Sequence, residues 1–136
     1  MTRKSITASV SRQKSAAYKS VADNFFEGAE IAYEYEYFNA AGVLIVHAAI
    51  AYTDAITVKF QGIKNTGEAH HEAVTLLQKV VGNLPEHKNA FTQLNKIIEH
   101  KNRVSYSGDL YGKMDIDEMR KLIARFKNWA EKILSD

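Results

Sequence analysis

The stretch NAAGVLIVHAAIAYTDAITVKF, residues 39–60, decides the fold of this chain. Small and aliphatic side chains cover nearly the whole circumference of the helix that it would form, whereas every other helical segment has a polar face. A helix that is apolar on most sides needs neighbours on most sides. We therefore predict a central helix surrounded by the others. Its few polar side chains are His47, Tyr52, Thr53 and Asp54.

Two of these polar side chains, His47 and Asp54, lie two helical turns apart on the same face and can share a groove. His47 has two interpretations, a general base that titrates near neutrality or a hydrogen-bonded core group. Asp54 needs a partner if it faces inward, because an unpaired buried carboxylate is costly. Tyr52 and an Arg or Lys from another helix are the candidates for that partner.

Outward from this stretch, apolar residues at three- and four-residue steps mark four more amphipathic helices. The predicted helices run from about Ser15 to Glu34, over residues 39–60, from a cap at Asn65 to about Val81, from Pro85 in a first turn through Ile98, and from Ile116 to about Leu134. No β-strand competes with them, and short linkers favour antiparallel neighbours. We predict an all-α fold, an antiparallel up-and-down bundle of about five helices.

The predicted helix ends carry recognisable signals. Asn39 is placed to cap the second helix, and Gly62 to end it in a left-handed conformation. Three later starts show a polar cap followed three positions on by Glu, which is the capping box. These pairs are Asn65 with Glu68, Asn83 with Glu86, and Asp115 with Glu118. Within the first two helices, Gly28 and Gly42 predict the close approach of another helix.

Length and composition limit the class of protein. A chain of 136 residues suits one domain with a single core, and we expect a flexible basic arm over 1–14 and the bundle over 15–136. There is no cysteine, so disulfides and thiolate sites are excluded and a cytoplasmic location is the default. The arm lacks the apolar run of a signal peptide. Because His47 and Asp54 interrupt the alanine-rich central helix, we expect no membrane span.

Common enzyme and metal signatures are missing from the sequence. The GxxxxGK[ST], GxSxG and GxGxxG patterns are absent, so we expect no cofactor. Glu68, His70, His71 and Glu72 have the composition of a metal site. Adjacent histidines point about 100° apart on a helix, however, and the His-x-x-x-His spacing is absent. We predict no metal site there, with His70 and His71 facing solvent.

The charge is nearly balanced, at +2 from 18 Lys and Arg against 16 Asp and Glu, which does not by itself indicate polyanion binding. The last helix is locally basic. Between Met119 and Lys132 it carries Arg120, Lys121, Arg125, Lys127 and Lys132 against Glu131 alone. Such cations suit a solvated face near the end of a helix, and they would also suit a nucleic-acid surface.

The segment HKNRVSY, residues 100–106, is a dense group of hydrogen-bond donors with an aromatic ring. It follows the fourth helix, and from Val104 to Met114 the helical period fails and Ser, Gly and Asp supply turn chemistry. Side chains at such a junction can converge on a ligand beyond the bundle. Cations there also complement the helix dipole, which is the alternative explanation.

The order of the helices, the alanine-rich second helix and the late KNRVSY element that leads into the last helix resemble the HEPN superfamily, the higher-eukaryote and prokaryote nucleotide-binding domains. The resemblance covers most of the chain, from about Ala16 to Leu134. It implies an all-α up-and-down bundle that often forms homodimers. It also implies a role in RNA cleavage, nucleotide binding or pairing with a partner protein encoded nearby, as in toxin and antitoxin pairs.

The catalytic motif of this superfamily is degraded here. Its active ribonucleases carry an Arg and, four to six residues later, a His that together cleave RNA without metal. Arg103 occupies the arginine position, but the histidine window holds Ser107, Gly108 and Asp109. Against the Arg-x-x-Ala-Asp-Tyr form of another branch, only the tyrosine is kept. That alignment pairs Lys101, Val104, Ser105 and Tyr106 with its four defined positions.

The resemblance and the degraded motif together predict a non-catalytic module that binds a nucleotide, RNA or a partner protein. The predicted ligand-binding residues are Lys101, Asn102, Arg103 and Tyr106, with Asp54 at the back of the groove. Arg103 would pair with phosphate, Lys101 would supply charge, and Tyr106 would stack or donate a hydrogen bond. The alternative is a divergent metal-independent ribonuclease that uses Arg103 with His100 or His47.

Overall fold

A computed structural model describes residues 6–67 and 69–135, with the backbone alone for His70. Over these residues the chain forms an all-α helical bundle with one small two-stranded ribbon. The helices are α1 (Ser15–Glu34), α2 (Phe38–Gln61), α3 (His70–Val81), α4 (Lys88–Ile98), α5 (Lys101–Tyr106) and α6 (Lys113–Ser135), and the strands are β1 (Thr7–Ser9) and β2 (Ile63–Asn65). Short 3₁₀ turns occupy Arg12–Lys14 and Pro85–His87. The predicted all-α bundle is confirmed.

The central position predicted for α2 is also confirmed, because this helix contacts every other helix in the described chain. Ala48, Ala49, Tyr52 and Ile56 have no exposed surface. By length and composition α2 would also be long and apolar enough to cross a membrane, the one such helix among the described residues. Its most apolar window is 78% buried inside the protein, which is typical of a core helix.

Two predicted ends of α2 have different outcomes. Gly62 ends the helix in the left-handed region at φ 62°, and its N–H donates to the carbonyl of Val58 as predicted. Asn39 does not cap the helix, because α2 already begins at Phe38. Its side-chain amide instead donates to the carbonyls of Val104 at 3.0 Å and Asp109 at 2.9 Å. Asn39 therefore ties the start of α2 to α5 and the loop after it.

The predicted capping boxes are wrong in detail. Asn65 lies in β2, and α3 begins five residues later at His70, after Ala69 and without a side-chain cap. Pro85–His87 is a 3₁₀ turn preceded by Leu84, again without a side-chain cap. The last helix begins at Lys113, so Asp115 lies in its first turn, where its carboxylate accepts from the Gly112 N–H at 2.8 Å. Glu68 lies outside the described residues.

The ribbon was not expected, since the sequence predicted no strand and a flexible arm over residues 1–14. Thr7 pairs with Asn65 and Ser9 with Ile63 in an antiparallel register, and the Thr66 N–H donates to the Ile6 carbonyl. The described part of the arm therefore packs along β2 and fixes the chain that follows α2. Residues 1–5 of the predicted arm lie outside the described residues.

The segment from Val104 to Met114 is more helical than predicted. α5 extends through Tyr106, and α6 begins at Lys113. The close approach predicted at Gly42 is confirmed here, because a Cβ at this position would lie 2.6 Å from a methyl group of Val104. At Gly28 a Cβ would meet Leu44 at an ordinary 3.4 Å. Gly42 therefore lets α5 lie against α2, and this sets the position of Lys101.

Candidate functional site

Seven polar side chains line one space beside the C-terminal half of α2. This space, the inner pocket, has a volume of about 310 Å³ and is bounded by α2, β2 and its following loop, and parts of α3, α4 and α5. Ile50, Ala73 and Ile98 form its apolar walls. Its polar lining consists of His47, Thr53, Asp54, Lys64, Asn65, Thr66 and Lys101.

Asp54 is the most unusual group in the inner pocket. It is only 6% exposed, and no described residue donates a hydrogen bond to its carboxylate or forms an ion pair with it. Burial raises the pKa of Asp54 to about 7, and the positive charge of Lys64 opposes this rise only in part. A carboxylate in this environment is destabilised when it ionises unless a ligand supplies donors.

The partners expected for Asp54 are engaged elsewhere. Tyr52 donates its hydroxyl hydrogen to Asp23 of α1, so the prediction that it pairs with Asp54 is wrong. The cation whose charge acts on the pKa of Asp54 is Lys64, and it lies in β2 and not in a helix. The ammonium group of Lys64 lies 5.4 Å from the centre of the Tyr18 ring. Asp54 is thus left facing a cavity without a described neutralising partner.

A second, smaller space continues from the inner pocket. This outer pocket, about 90 Å³, is lined by residues of α2 and α5, including Ser105 and Tyr106. His47 and Lys101 line both pockets, so the two pockets adjoin, and we call them together the groove. His47 is exposed and packs against the ring of Phe25, with centroids 5.8 Å apart. Its interpretation as a buried core group is wrong, and it stands at the junction of the two pockets.

Two of the predicted site residues, His100 and Arg103, take part in a separate arrangement, the junction cluster of His100, Arg103, Asp109 and Tyr111. Arg103 Nε donates to Asp109 at 3.0 Å, and its guanidinium group lies 5.1 Å from the Tyr111 ring centre. His100 Nδ1 lies 2.7 Å from the Tyr111 hydroxyl. Burial, followed by the charge of Arg103, lowers the pKa of His100. Each of these groups is bound to another member of the cluster.

The predicted site is therefore divided between two places. Lys101, Tyr106, His47 and Asp54 line the groove. Arg103 does not line either pocket, and neither does Asn102, which is exposed on α5. The expectation that Arg103 and Tyr106 close one groove together is wrong, because Arg103 lines neither pocket and is held by Asp109 and Tyr111.

The basic last helix is partly neutralised within the fold. Arg120 donates twice to Glu30, at 3.0 and 2.6 Å, and Lys127 pairs with Glu131 at 3.0 Å. Lys121 and Arg125 line a wide, shallow depression that also contains acidic residues. This distribution favours the solvated-face interpretation of α6 over a continuous nucleic-acid surface.

Among the residues that the structure describes, no group of three His, Asp or Glu side chains is arranged to hold a metal ion. His71 is exposed at the start of α3, as predicted. The carboxylate of Glu72 packs against Gly67 with one oxygen buried and unpaired. Glu68 and the side chain of His70 lie outside the described residues.

Comparison with known proteins identifies no relative of this chain. No protein-family model, curated protein or solved structure matches the chain. The HEPN resemblance therefore stays a prediction, and the groove itself is the structural indication of function.

Three residues that complete the groove were not predicted from the sequence. Asn65 was assigned as a helix cap, which put Thr66 in a first turn, and Lys64 was given no role, yet β2 and the residue after it bring all three into the lining of the inner pocket. The Asn65 side chain accepts a hydrogen bond from the Gly67 N–H at 3.1 Å, which closes a turn here, since α3 begins only at His70. The signal that could have revealed this turn was the Asn-Thr-Gly sequence itself, shortly after the terminating Gly62.

Proposed function

We propose that this protein is a HEPN-like, non-catalytic binding module whose groove takes a nucleotide or a short stretch of RNA. One observation carries the proposal: a single cavity contains a buried carboxylate, Asp54, and a cation, Lys101, neither of which has a described ion-pair partner. Polar groups left unpaired around one space favour a ligand that brings complementary groups.

The dimensions and charges of the groove support a nucleotide-sized ligand. The inner pocket lies at the lower end of the range for small-molecule sites. Lys64 and Lys101 supply positive charge for a phosphate group, and Tyr106, which is 84% exposed, offers a ring on which a base can stack. An RNA strand would extend from the inner pocket over His47 toward Tyr106.

The direct test is calorimetric titration of the purified protein with nucleoside monophosphates and a short single-stranded RNA at about 50 and about 200 mM salt. We expect binding that weakens with salt, and a loss of about five- to tenfold in Lys101→Ala. Lys121→Ala, on the exposed face of α6, is the matched control and should bind like the wild type. The absence of any affinity at low salt would overturn the proposal.

A second candidate, a metal-independent ribonuclease, is favoured by one contact pattern. Arg103 and His100 both contact Tyr111, so a cation and an imidazole lie near each other. Both are held by partners within the junction cluster, and on this ground we favour the binding module. Mixed RNA incubated with the protein in EDTA should stay intact. Cleavage that disappears in Arg103→Ala and persists in Arg125→Ala would establish the ribonuclease instead.

We also propose that the protein acts as a cytoplasmic homodimer. Two large apolar side chains near the junction, Leu110 and Met114, are 93% and 85% exposed, which supports an interface there. Sedimentation velocity of the wild type and Leu110→Lys tests this, with dissociation expected in the variant. A wild type that remains monomeric would overturn the homodimer and leave this surface for a different partner protein.

A further inference from the structure

Asp54 restricts the kind of ligand that the inner pocket can accept. Its carboxylate is buried, lines the cavity and has no donor among the described residues. An ionised carboxylate offers only acceptor sites, on two oxygens side by side. A ligand that presents two parallel N–H donors on one edge would satisfy both oxygens at once, which is the strongest arrangement for a carboxylate.

A cationic ligand such as an amine or guanidinium would supply N–H donors to Asp54, but its charge does not suit the rest of the pocket. Lys64 and Lys101 line the same cavity and would repel it. The pocket therefore favours a ligand that is neutral where it meets Asp54 and negatively charged near the two lysines. A nucleotide with a neutral base and a phosphate has this distribution of charge.

Among the four common bases, guanine matches the donor pattern best. Its N1–H and its N2 amino group point in the same direction from one edge, as a bidentate acceptor requires. Adenine and cytosine place a ring acceptor beside their amino group, and that lone pair would face a carboxylate oxygen. Uracil has one N–H between two carbonyl oxygens.

We propose that the inner pocket recognises guanine, with the carboxylate of Asp54 accepting from N1–H and the N2 amino group, and with Lys64 and Lys101 bound to the phosphate. This assignment depends on the proposed nucleotide-binding function and specifies its ligand. Thr53 and Asn65 also line the pocket. The Thr53 hydroxyl donates to the Ala49 carbonyl and the Asn65 oxygen accepts from Gly67, which leaves the Thr53 oxygen and the Asn65 amino group for the rest of the base. The apolar walls formed by Ile50 and Ile98 enclose the rings.

The pH dependence of this recognition has a definite sign. Because burial raises the pKa of Asp54 to about 7, the free protein carries a largely protonated group at pH 6 and an ionised one at pH 8. Guanine requires the ionised form, so its affinity should rise about tenfold over this range. His47, Lys64 and Lys101 are the other charged or titratable groups of the pocket lining among the described residues. Lys64 opposes the rise in the pKa of Asp54, and this effect, like any effect of the three groups on the phosphate, is common to all the nucleotides compared. Comparing two bases on the same phosphate cancels their effect.

The test compares GMP, IMP and AMP by calorimetry on the wild type at pH 8 and pH 6. IMP differs from GMP only in lacking the N2 amino group. At pH 8, GMP should therefore bind at least about tenfold more tightly than IMP. This preference should shrink at pH 6. It should also disappear in Asp54→Asn, whose amide replaces one acceptor with a donor and which removes a buried charge without changing the side-chain size.

The outcomes separate this inference from the proposed function. Equal affinity for the three nucleotides at pH 8, or a GMP preference that persists in Asp54→Asn, would overturn guanine recognition while leaving nucleotide binding intact. No binding of any of the three would remove both. Since the comparison of GMP with IMP uses the wild type, it does not depend on how well the variant folds.

Discussion

The groove and the junction cluster contain similar residue types but differ in how their charges are satisfied. In the junction cluster, Arg103 pairs with Asp109 and His100 contacts Tyr111, so each polar group has a neighbour within the fold. In the groove, Asp54 and Lys101 share a cavity without a described ion-pair partner. The sequence motif draws attention to Arg103, whereas the unmatched groups, Asp54 and Lys101, line the inner pocket.

This contrast shows why residue type alone is a poor guide to a binding site. An exposed ion pair such as Arg103–Asp109 contributes little and is already complete. A buried carboxylate without a hydrogen-bond donor lowers the stability of the folded protein when it ionises. A ligand that supplies donors removes this destabilisation. Substitutions in the two regions should therefore differ in the size of their effects, which are largest at Asp54.

Replacing Asp54 with Asn should stabilise the protein at alkaline pH. The pKa of Asp54 is raised from 3.8 to about 7, so the folded state holds this proton more tightly than the unfolded state. Between about pH 4 and pH 7 the wild type therefore loses stability as the pH rises, by up to roughly 4 kcal/mol. The amide that replaces the carboxylate in the variant has no charge to bury. Urea unfolding should give the variant the larger free energy of unfolding at pH 8, with the gap closing toward pH 4.

Asp109→Asn is the matched control for this series, because Asp109 is an exposed aspartate of the junction cluster. Its difference from the wild type should stay small at both pH values. A gap for Asp54→Asn that is the same at pH 4 and pH 8 would contradict the environment described for Asp54.

Asn39 joins the two regions, and its loss should destabilise both. Its amide donates to the carbonyls of Val104 and Asp109, and its oxygen accepts from the Tyr111 N–H at 2.9 Å. At about 1 kcal/mol for each hydrogen bond, Asn39→Ala should lower the free energy of unfolding by about 2–3 kcal/mol. Asn128→Ala, on the exposed surface of α6, should change it by less than about 0.5 kcal/mol. Equal effects of the two variants would contradict this role for Asn39.

Two glycines allow a sharper test of how closely α5 packs. In Gly28→Ala the new methyl group meets Leu44 at ordinary contact distance, so the better helix propensity of Ala should add up to about 1 kcal/mol of stability. In Gly42→Ala it would lie 2.6 Å from Val104, and overpacking should cost about 1–2 kcal/mol. Thermal unfolding of the pair measures the difference. Equal stabilisation by both substitutions would show that α5 does not lie against α2.

The smallest effect is expected in the junction cluster. Arg103 is 55% exposed, so Arg103→Ala should change Tm by less than about 2 °C. Its affinity for GMP should stay within about twofold of the wild type, because Arg103 does not line the groove. Calorimetry on this variant beside Lys101→Ala makes the comparison. A larger loss of GMP affinity in Arg103→Ala than in Lys101→Ala would show that the binding site is in the junction cluster.

Helical periodicity was sufficient to predict the bundle. The bounds of α1 agree with the structure at both ends, and α2 differs from its predicted range by one residue at each end. These helices bury apolar stripes that the sequence displays directly. Asn39, Asn65 and Asn83 were assigned as caps from local chemistry, but tertiary hydrogen bonds or strand pairing decide the first two of these positions.

The candidate site could be predicted only in part for the same reason. Asp54 and His47 stood out as polar residues in an apolar helix, and Lys101 and Tyr106 stood out in the junction segment. Lys64 could not be placed beside them, because its position depends on the pairing of β1 with β2, which are far apart in the sequence. Arg103 was misplaced because the competing contacts with Asp109 and Tyr111 depend on the turn after α5.

The most direct test of the central claim is an amide NMR titration of the isotope-labelled protein with GMP. The account predicts the largest shift changes at Thr53, Asp54, Lys64 and Thr66, with little change at Asp109. Changes centred on Asp109 and Tyr111 would place the ligand in the junction cluster. A spectrum that does not respond to GMP at millimolar concentration would contradict nucleotide binding by the groove.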